Sequence, residues 1–200
     1  MRYAIVGFGA VGQALGRAFA RKNIEVAVGS RRPPEALAPQ AQAIGPSVVP
    51  AALQDAIKAE TIILAVPFWE HRVVAKALAS WQGKTIIDTT NAFGVPIEDL
   101  GGLPSSAFIA KAFPGAKVVK GFNHLPARLL AADPNVTGGR RVVFLSSDDE
   151  GALTQVTALA GELGFAPIGL GKLEDGGALV QARGNTWGQL IFQDLFKQRQ

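Results

Sequence analysis

The chain has 200 residues, 48% of them hydrophobic and 18% charged, which is the composition of a folded globule with room for one well-packed domain. It contains no cysteine and only two histidines, so disulfides, thiol catalysis and His-rich metal sites are excluded and we expect no metal. The net charge of +4 permits an anionic ligand, but the basic residues are scattered and there is one tyrosine to stack on bases, so we expect no nucleic acid.

The first 22 residues resemble a signal peptide only superficially. An apolar run follows Arg2, but three glycines, Gln13 and Arg17 interrupt it, and a strand–turn–helix fits this pattern better. Elsewhere, no stretch approaches the roughly 18 uncharged apolar residues that a membrane span needs. We therefore expect a soluble, cytoplasmic protein that does not bind a membrane.

Short apolar runs alternate with helical patterns along the chain, which predicts a mainly parallel sheet covered by helices on both faces. The predicted strands are residues 2–7, 24–29, 47–50, 61–67, 84–91, 116–123, 140–147 and 165–171. The predicted helices are residues 10–22, a segment between 30 and 47, residues 71–81 and 149–164, and a terminal pattern at 185–198. We predict one doubly wound α/β domain over residues 1–200, with a small C-terminal helical extension. Residues from about 150 to 200 are a candidate smaller lobe.

The glycine pattern after the first strand, GFGAVG, is typical of a turn that binds a dinucleotide. The first glycine allows the tight turn, the second lets the backbone approach a pyrophosphate, and the third lets the helix pack close to the strand. The pyrophosphate would lie on the free N–H groups at the helix N-terminus. The predicted cofactor contacts in this turn are Gly7, Phe8, Gly9, Ala10, Val11 and Gly12.

The stretch VAVGSRRPPE, residues 26–35, indicates which dinucleotide is bound. NAD-binding folds usually place an acidic residue about 20 positions past the fingerprint, where it holds the ribose hydroxyls. Here Ser30, Arg31 and Arg32 occupy that place. A hydroxyl and two guanidiniums would hold a 2′-phosphate that an acid would repel. We therefore predict a Rossmann-type NADP-binding fold. NADPH should bind at least about tenfold tighter than NADH, with most of the difference lost in Arg31→Ala.

These motifs and three later ones resemble the family of NADPH-dependent reductases typified by the coenzyme F420-dependent NADP oxidoreductase. GSRR is similar to its 2′-phosphate loop, ILAVPFWEH to the turn beside the nicotinamide, and VVKGFNHLPA to its Val-Val-Lys-Ala-Phe-Asn element, with Gly121 in place of the usual alanine. Residues 142–177 are similar to the strand, acidic helix start and final strand that close the domain. The resemblance implies hydride transfer between NADP(H) and a small-molecule redox acceptor, either a flavin or a deazaflavin such as F420. The cytosolic domains of membrane metalloreductases share this plan.

Such a transfer requires close, aligned rings and little else, so proximity and orientation carry most of the rate. Ala65, Val66 and Pro67 end a central strand and are predicted to line the nicotinamide pocket. Thr90 in the polar turn 88–91 is a candidate ligand contact. His71 is predicted to lie at the surface or to contact the ribose of the cofactor.

Asn123 and His124 are the polar candidates for chemistry beside the reacting rings. Asn123 could donate a hydrogen bond to the nicotinamide amide or to an acceptor carbonyl, and His124 could do the same or supply a proton near neutral pH. A lone histidine before a proline is otherwise a satisfied structural residue. Asp148 and Asp149 are expected to cap a helix rather than to catalyse.

Two alternative functions remain open on the sequence. One is a reductase of a small imine or carbonyl, similar to pyrroline-5-carboxylate reductase, although those enzymes append a long helical domain for which we expect no room here. The other is a non-catalytic protein that senses NADPH. The aromatic residues of the terminal helix, Trp187, Phe192 and Phe196, are expected to be core or subunit contacts, so we predict a homodimer.

Overall fold

The apolar runs form strands close to where the pattern predicts them. The computed structural model describes residues 1–182. Its strands are β1 (Tyr3–Val6), β2 (Val26–Gly29), β3 (Val48–Pro50), β4 (Thr61–Leu64), β5 (Thr85–Asp88), β6 (Lys117–Gly121), β7 (Asn135–Val136), β8 (Gly139–Arg140), β9 (Val142–Ser147) and β10 (Ala166–Gly169). Its α-helices are α1 (Ala10–Arg21), α2 (Pro34–Ile44), α3 (Leu53–Ala56), α4 (His71–Ala75), α5 (Ser105–Ala112), α6 (Ala127–Ala131), α7 (Glu150–Glu162) and α8 (Ala178–Val180). Short 3₁₀ turns occupy Phe68–Glu70 and Ile97–Leu100, and a π-helical turn occupies Leu173–Gly177.

Eight of these strands form one sheet in the order β3-β2-β1-β4-β5-β6-β9-β10. The first six are parallel and follow the doubly wound order, so the predicted α/β fold is confirmed. β9 then pairs antiparallel with β6, and β10 pairs parallel with β9. Strands β7 and β8 form a separate hairpin. The reversal at β9 is a feature that the sequence pattern does not predict.

The central strands of the sheet are buried on both faces because most of their positions, on either face, carry apolar side chains. In β1, Tyr3 and Ile5 belong to the core that packs under α1, α2, α6 and α7. Ala4 and Val6 belong to the opposite core, under α3, α4 and α5. The carboxyl ends of the parallel strands form one edge of the sheet, between these two helical layers.

Two predicted boundaries need correction. The strand expected at 61–67 ends at Leu64, and the helix expected at 71–81 ends at Ala75. The helix stops because the buried Trp81 donates its indole N–H to the carbonyl of Ala75, at 2.8 Å, and packs edge-on against Phe113. Tertiary packing of one aromatic side chain thus overrides the helical period of this segment.

The expected helix cap is confirmed, because Asp149 accepts a hydrogen bond from the amide of Ala152 at 2.7 Å at the start of α7. The terminal helical pattern at 185–198, including Trp187, Phe192 and Phe196, lies outside the described residues. Among residues 1–182, no helix is both long and apolar enough to cross a membrane.

Candidate functional site

A cavity of about 340 Å³ lies at the carboxyl ends of β1, β2 and β4. The strand order changes direction at this point. From β1 the chain continues to β2 and β3 on one side, and then crosses over to β4 on the other side of β1. Ligands of open α/β sheets bind in such a crevice. The cavity is lined by Val6, Gly7, Phe8, Gly9, Ser30, Arg31, Arg32, Leu53, Ala65, Val66, Pro67, Glu70, Val73 and Val74.

The structure therefore brings together three of the predicted segments, namely the glycine turn, residues 30–32 and residues 65–67. Ala10, Val11 and Gly12 form the start of α1 directly behind the glycine turn. The polar candidates His71, Thr90, Asn123 and His124 are not among the residues that line this cavity.

The three glycines of the turn differ in what surrounds them. A Cβ on Gly7 would lie 2.3 Å from the carbonyl oxygen of Ala65, and its φ of +97° is itself unfavourable for other residues. A Cβ on Gly12 would lie 2.0 Å from the carbonyl oxygen of Gly7. A Cβ on Gly9 would meet no atom of residues 1–182 within 4 Å. The first and third glycines are thus required by packing, whereas the middle one borders open space in the crevice.

The N-terminus of α1 opens onto the same space. Gly9 is the N-cap residue, and no side chain caps the helix or places an acid in its first turn. The free amide groups of this turn and the positive end of a twelve-residue helix dipole therefore favour an anion.

Serine and arginine side chains from the end of β2 form the opposite wall. Ser30 Oγ accepts a hydrogen bond from the amide of Arg32 at 3.0 Å, which shapes the loop. The guanidinium of Arg32 reaches Gln40 of α2 at 3.5 Å. Arg31 Nη1 lies 3.3 Å from the carboxylate of Glu70, and the side chain of Arg31 is 73% exposed while that of Glu70 is 21% exposed.

Glu70 is a residue of the site that sequence reasoning missed. A signal for it exists, because it follows β4, and the 3-2-1-4 strand order places the carboxyl ends of β2 and β4 on either side of β1. An acidic residue shortly after the fourth strand is therefore within reach of an arginine that follows the second.

His71 is buried, with 2% exposure, so the expectation of a surface position is wrong. Its Nδ1 is hydrogen-bonded to the carbonyl of Phe68, and its ring packs 5.0 Å from the ring of Phe68. Burial lowers the pKa of the imidazole, which favours the neutral form. Contact with the cofactor ribose stays a prediction that this burial does not favour.

A buried polar cluster lies where β5 and β6 end. Lys120 Nζ donates to Asp88 Oδ2 at 2.9 Å and to the carbonyl of Thr90. Asp88 Oδ1 accepts from both the amide and the hydroxyl of Thr90, at 2.9 and 2.7 Å. Because the amide, carbonyl and hydroxyl of Thr90 are all engaged here, this cluster fixes the turn after β5. The contact of Thr90 with a ligand stays a prediction.

Asn123 links this edge to the segment that follows the π-helical turn. Its Nδ2 donates to Asn91 Oδ1 at 3.1 Å and to the carbonyl of Val180 at 3.0 Å, while Asn91 Oδ1 also accepts from the amide of Ala182. Both N–H groups of Asn123 are therefore occupied in this state. Its Oδ1 is buried and has no hydrogen-bond partner among the described residues, so this oxygen is available to accept a hydrogen bond.

His124 is partly buried, with Nε2 3.4 Å from the carbonyl of Val142 and its ring centroid 5.1 Å from that of Phe144. Burial lowers the pKa of His124 to about 4. The imidazole is therefore neutral near pH 7, which disfavours the predicted role as proton donor. Among residues 1–182, no three His, Cys, Asp or Glu side chains group together in a way that could hold a metal ion.

Comparison with known proteins gives matches across the chain. Residues 2–92 match the family described as NADP oxidoreductase, coenzyme F420-dependent. A hypothetical protein of Sinorhizobium meliloti has a similar crystal structure, with 40% identity, a TM-score of 0.87, and coverage of 92% of this chain and 91% of that one. A proposed F420-dependent NADP reductase of an Arthrobacter species has 27% identity and a TM-score of 0.73, over 99% of this chain and 92% of that one.

The third relative is much longer than this chain. Metalloreductase STEAP3 of Rattus norvegicus is 30% identical over 175 residues, which are 86% of this chain and 34% of the relative. The chain thus spans about a third of the length of the curated relatives that it matches.

Proposed function

Because this chain belongs to the family of coenzyme F420-dependent NADP oxidoreductases, we propose that it is an oxidoreductase that transfers hydride between NADP(H) and a flavin or deazaflavin ring. The observation that carries the proposal is the cavity that combines the glycine turn, the N-terminus of α1 and the guanidiniums of residues 31 and 32. This combination suits a dinucleotide that carries an additional phosphate.

The residues present fit NADP at each of its parts. The open space beside Gly9 and the uncapped helix N-terminus would receive the pyrophosphate. Arg31 and Arg32 would hold the 2′-phosphate by charge-assisted hydrogen bonds. Ala65 and Pro67, at the end of the neighbouring strand β4, would border the nicotinamide end of the crevice.

When bound, NADPH supplies the hydride, and the chain supplies position. Apolar side chains from the segment after β4 and from α4, including Val66, Val73 and Val74, line the wall of the crevice and limit the access of water to it. Asn91 and Asn123 would hold the segment up to Ala182 at the far end, where an acceptor ring would approach. No proton transfer is assigned to His124, because its imidazole is neutral at physiological pH.

The first test is anaerobic oxidation of NADPH by the purified protein, with F420, FMN and FAD offered in parallel and absorbance at 340 nm followed. We expect turnover with at least one of these ring systems. Turnover with F420 alone would identify a deazaflavin reductase, and turnover with FMN or FAD alone a flavin reductase. Oxidation only in the presence of a small imine or ketone would contradict the proposed acceptor class. Tight NADPH binding without any turnover would instead indicate a cofactor-sensing protein.

A homodimer and a cytoplasmic location stay predictions of the sequence. Light scattering at micromolar concentration tests the first, with a mass near twice the 20.9 kDa of the chain expected. A mass of one chain would exclude the dimer under those conditions.

A further inference from the structure

The Arg31–Glu70 ion pair crosses the cofactor crevice. Arg31 follows β2 and Glu70 follows β4, and β1 with its glycine turn lies between these two strands. Both residues line the cavity. The pair therefore joins the two walls above the turn that would bind the pyrophosphate, at the place where the 2′-phosphate is expected.

The two partners are held very differently. The side chain of Glu70 is 21% exposed and belongs to the 3₁₀ turn that leads into α4, so the carboxylate is fixed near the wall. The side chain of Arg31 is 73% exposed and extends on a long flexible stem. The contact joins Nη1 of the guanidinium to Oε2 of the carboxylate at 3.3 Å. The arginine is thus the partner that can change position when an anion enters.

From this geometry we infer that Glu70 is a specificity-determining residue whose carboxylate holds Arg31 until the 2′-phosphate of NADP(H) replaces it. The inference rests on the proposed NADP site. A phosphate carries more charge than a carboxylate and offers three acceptor oxygens. The guanidinium of Arg31 therefore binds the phosphate in preference to the carboxylate of Glu70. NADH has no 2′-phosphate and leaves the ion pair intact.

This exchange has a measurable cost to affinity. Binding of NADPH breaks an exposed ion pair and brings the phosphate close to the freed carboxylate, and both effects weaken binding relative to a neutral residue at position 70. Glu70 thereby limits the affinity for NADPH and speeds the release of NADP, without contributing to the affinity for NADH.

The test is titration of Glu70→Gln with NADPH and with NADH, monitored by nicotinamide fluorescence, beside the unaltered protein. Glutamine keeps the size of the side chain and removes its charge. We expect NADPH to bind about two- to fivefold tighter to Glu70→Gln, since this is the range that an exposed ion pair supports. NADH affinity should change less than the experimental error, and the gain for NADPH should shrink as salt rises.

Further variants make the result specific. Glu25→Gln makes the same change of net charge at an exposed residue before the amino end of β2, at the opposite edge of the sheet, and should leave both affinities unchanged. In an Arg31→Ala background the exchange no longer occurs and only the repulsion between Glu70 and the phosphate remains, so Glu70→Gln should tighten NADPH binding by a smaller factor than in the unaltered protein. Glu70→Ala provides a second neutral variant if the glutamine protein is poorly folded by circular dichroism.

Weaker or unchanged binding of NADPH to both neutral variants would overturn the inference, because Glu70 would then position Arg31 for the phosphate or play no part. Equal tightening of NADPH and NADH would also overturn it and would indicate a steric barrier instead. If the unaltered protein binds NADPH no better than NADH, the proposed cofactor itself is wrong and the inference fails with it. If NADPH is preferred but position 70 has no effect, the proposed function stands and only the exchange is wrong.

Discussion

Gly9 and Gly12 lie in one turn but are glycine for different physical reasons. The space beside Gly9 is open and its φ of −80° suits any residue, so we expect Gly9→Ala to fold with nearly unchanged stability. Its methyl group would occupy the space assigned to the pyrophosphate, and NADPH affinity should fall by about tenfold or more through lost hydrogen bonds to the anion. Isothermal titration together with thermal melting measures both effects.

Gly12→Ala serves as the matched control for this prediction. Its Cβ would meet backbone at 2.0 Å, so the free energy of unfolding should fall by about 3 kcal/mol. An alanine at position 9 that weakened folding but not NADPH binding would contradict the assignment of the pyrophosphate site.

His124 makes folding stability depend on pH. Its folded-state pKa of about 4 lies below the value of about 6.5 expected in the unfolded chain, so protonation favours the unfolded state. The contribution of this residue to folding stability is fully present well above pH 6.5 and declines as the pH falls through 6.5 towards 4. Between pH 7 and pH 5 the free energy of unfolding should drop by about 2 kcal/mol on account of this residue, as measured by urea denaturation.

His71 acts in the same direction, because burial lowers its pKa as well. The lowered carboxyl pKa values of Asp133 and Asp149 affect stability only at more acidic pH. His124→Phe should therefore show a flatter pH profile between pH 7 and pH 5. Parallel profiles of the two proteins would show that His124 is not responsible.

At the scale of residues, the sequence predicts groups within one short segment better than the contacts between residues that are distant in the chain. The glycine turn and the Ser30–Arg32 loop are each predicted from neighbours within a few residues, and the structure places both segments at one cavity. Glu70 was missed because its partner Arg31 is 39 positions away and only the strand order brings the two together. The engagement of Asn123 by Val180 is hidden from the sequence for the same reason.

At the scale of elements, the contact between β6 and β9 is tight. A Cβ on Gly121 would lie 2.5 Å from Cδ2 of Leu145, which is fully buried. We expect Gly121→Ala to lose about 1–2 kcal/mol of folding stability through overpacking, measured by chemical denaturation. Leu145→Val removes the opposing bulk, so the double variant should be more stable than the sum of the two single effects predicts. Additive losses would indicate that the two side chains do not compete for space.

Elements were predicted well where the apolar pattern itself decides the outcome. Strands β1, β4 and β5 are buried along their whole length, and their apolar runs identify them without reference to any partner. The length of α4 and the direction of β9 depend on distant contacts, namely Trp81 against Ala75 and β9 against β6. No periodicity within the segments themselves contains that information.

At the scale of the whole molecule, binding of the cofactor should stabilise the fold by mass action. NADPH at about 100 times its Kd adds about 2.7 kcal/mol, which raises the Tm of a domain of this size by roughly 5–11 °C. NADH at the same concentration, if bound tenfold more weakly, adds about half as much. Differential scanning fluorimetry measures both shifts, and equal shifts would contradict selectivity for the 2′-phosphate.

The described residues that line the cavity all lie between Val6 and Val74, whereas the hydrogen-bonded cluster of Asn91, Asn123 and Ala182 belongs to a later stretch of the chain. On the assignment proposed above, the dinucleotide and the acceptor are therefore contacted by consecutive stretches of one gene. Mutation or recombination in the second stretch would then change the acceptor without disturbing the residues that line the cofactor crevice. A lineage would in this way keep its source of electrons while its acceptor changes.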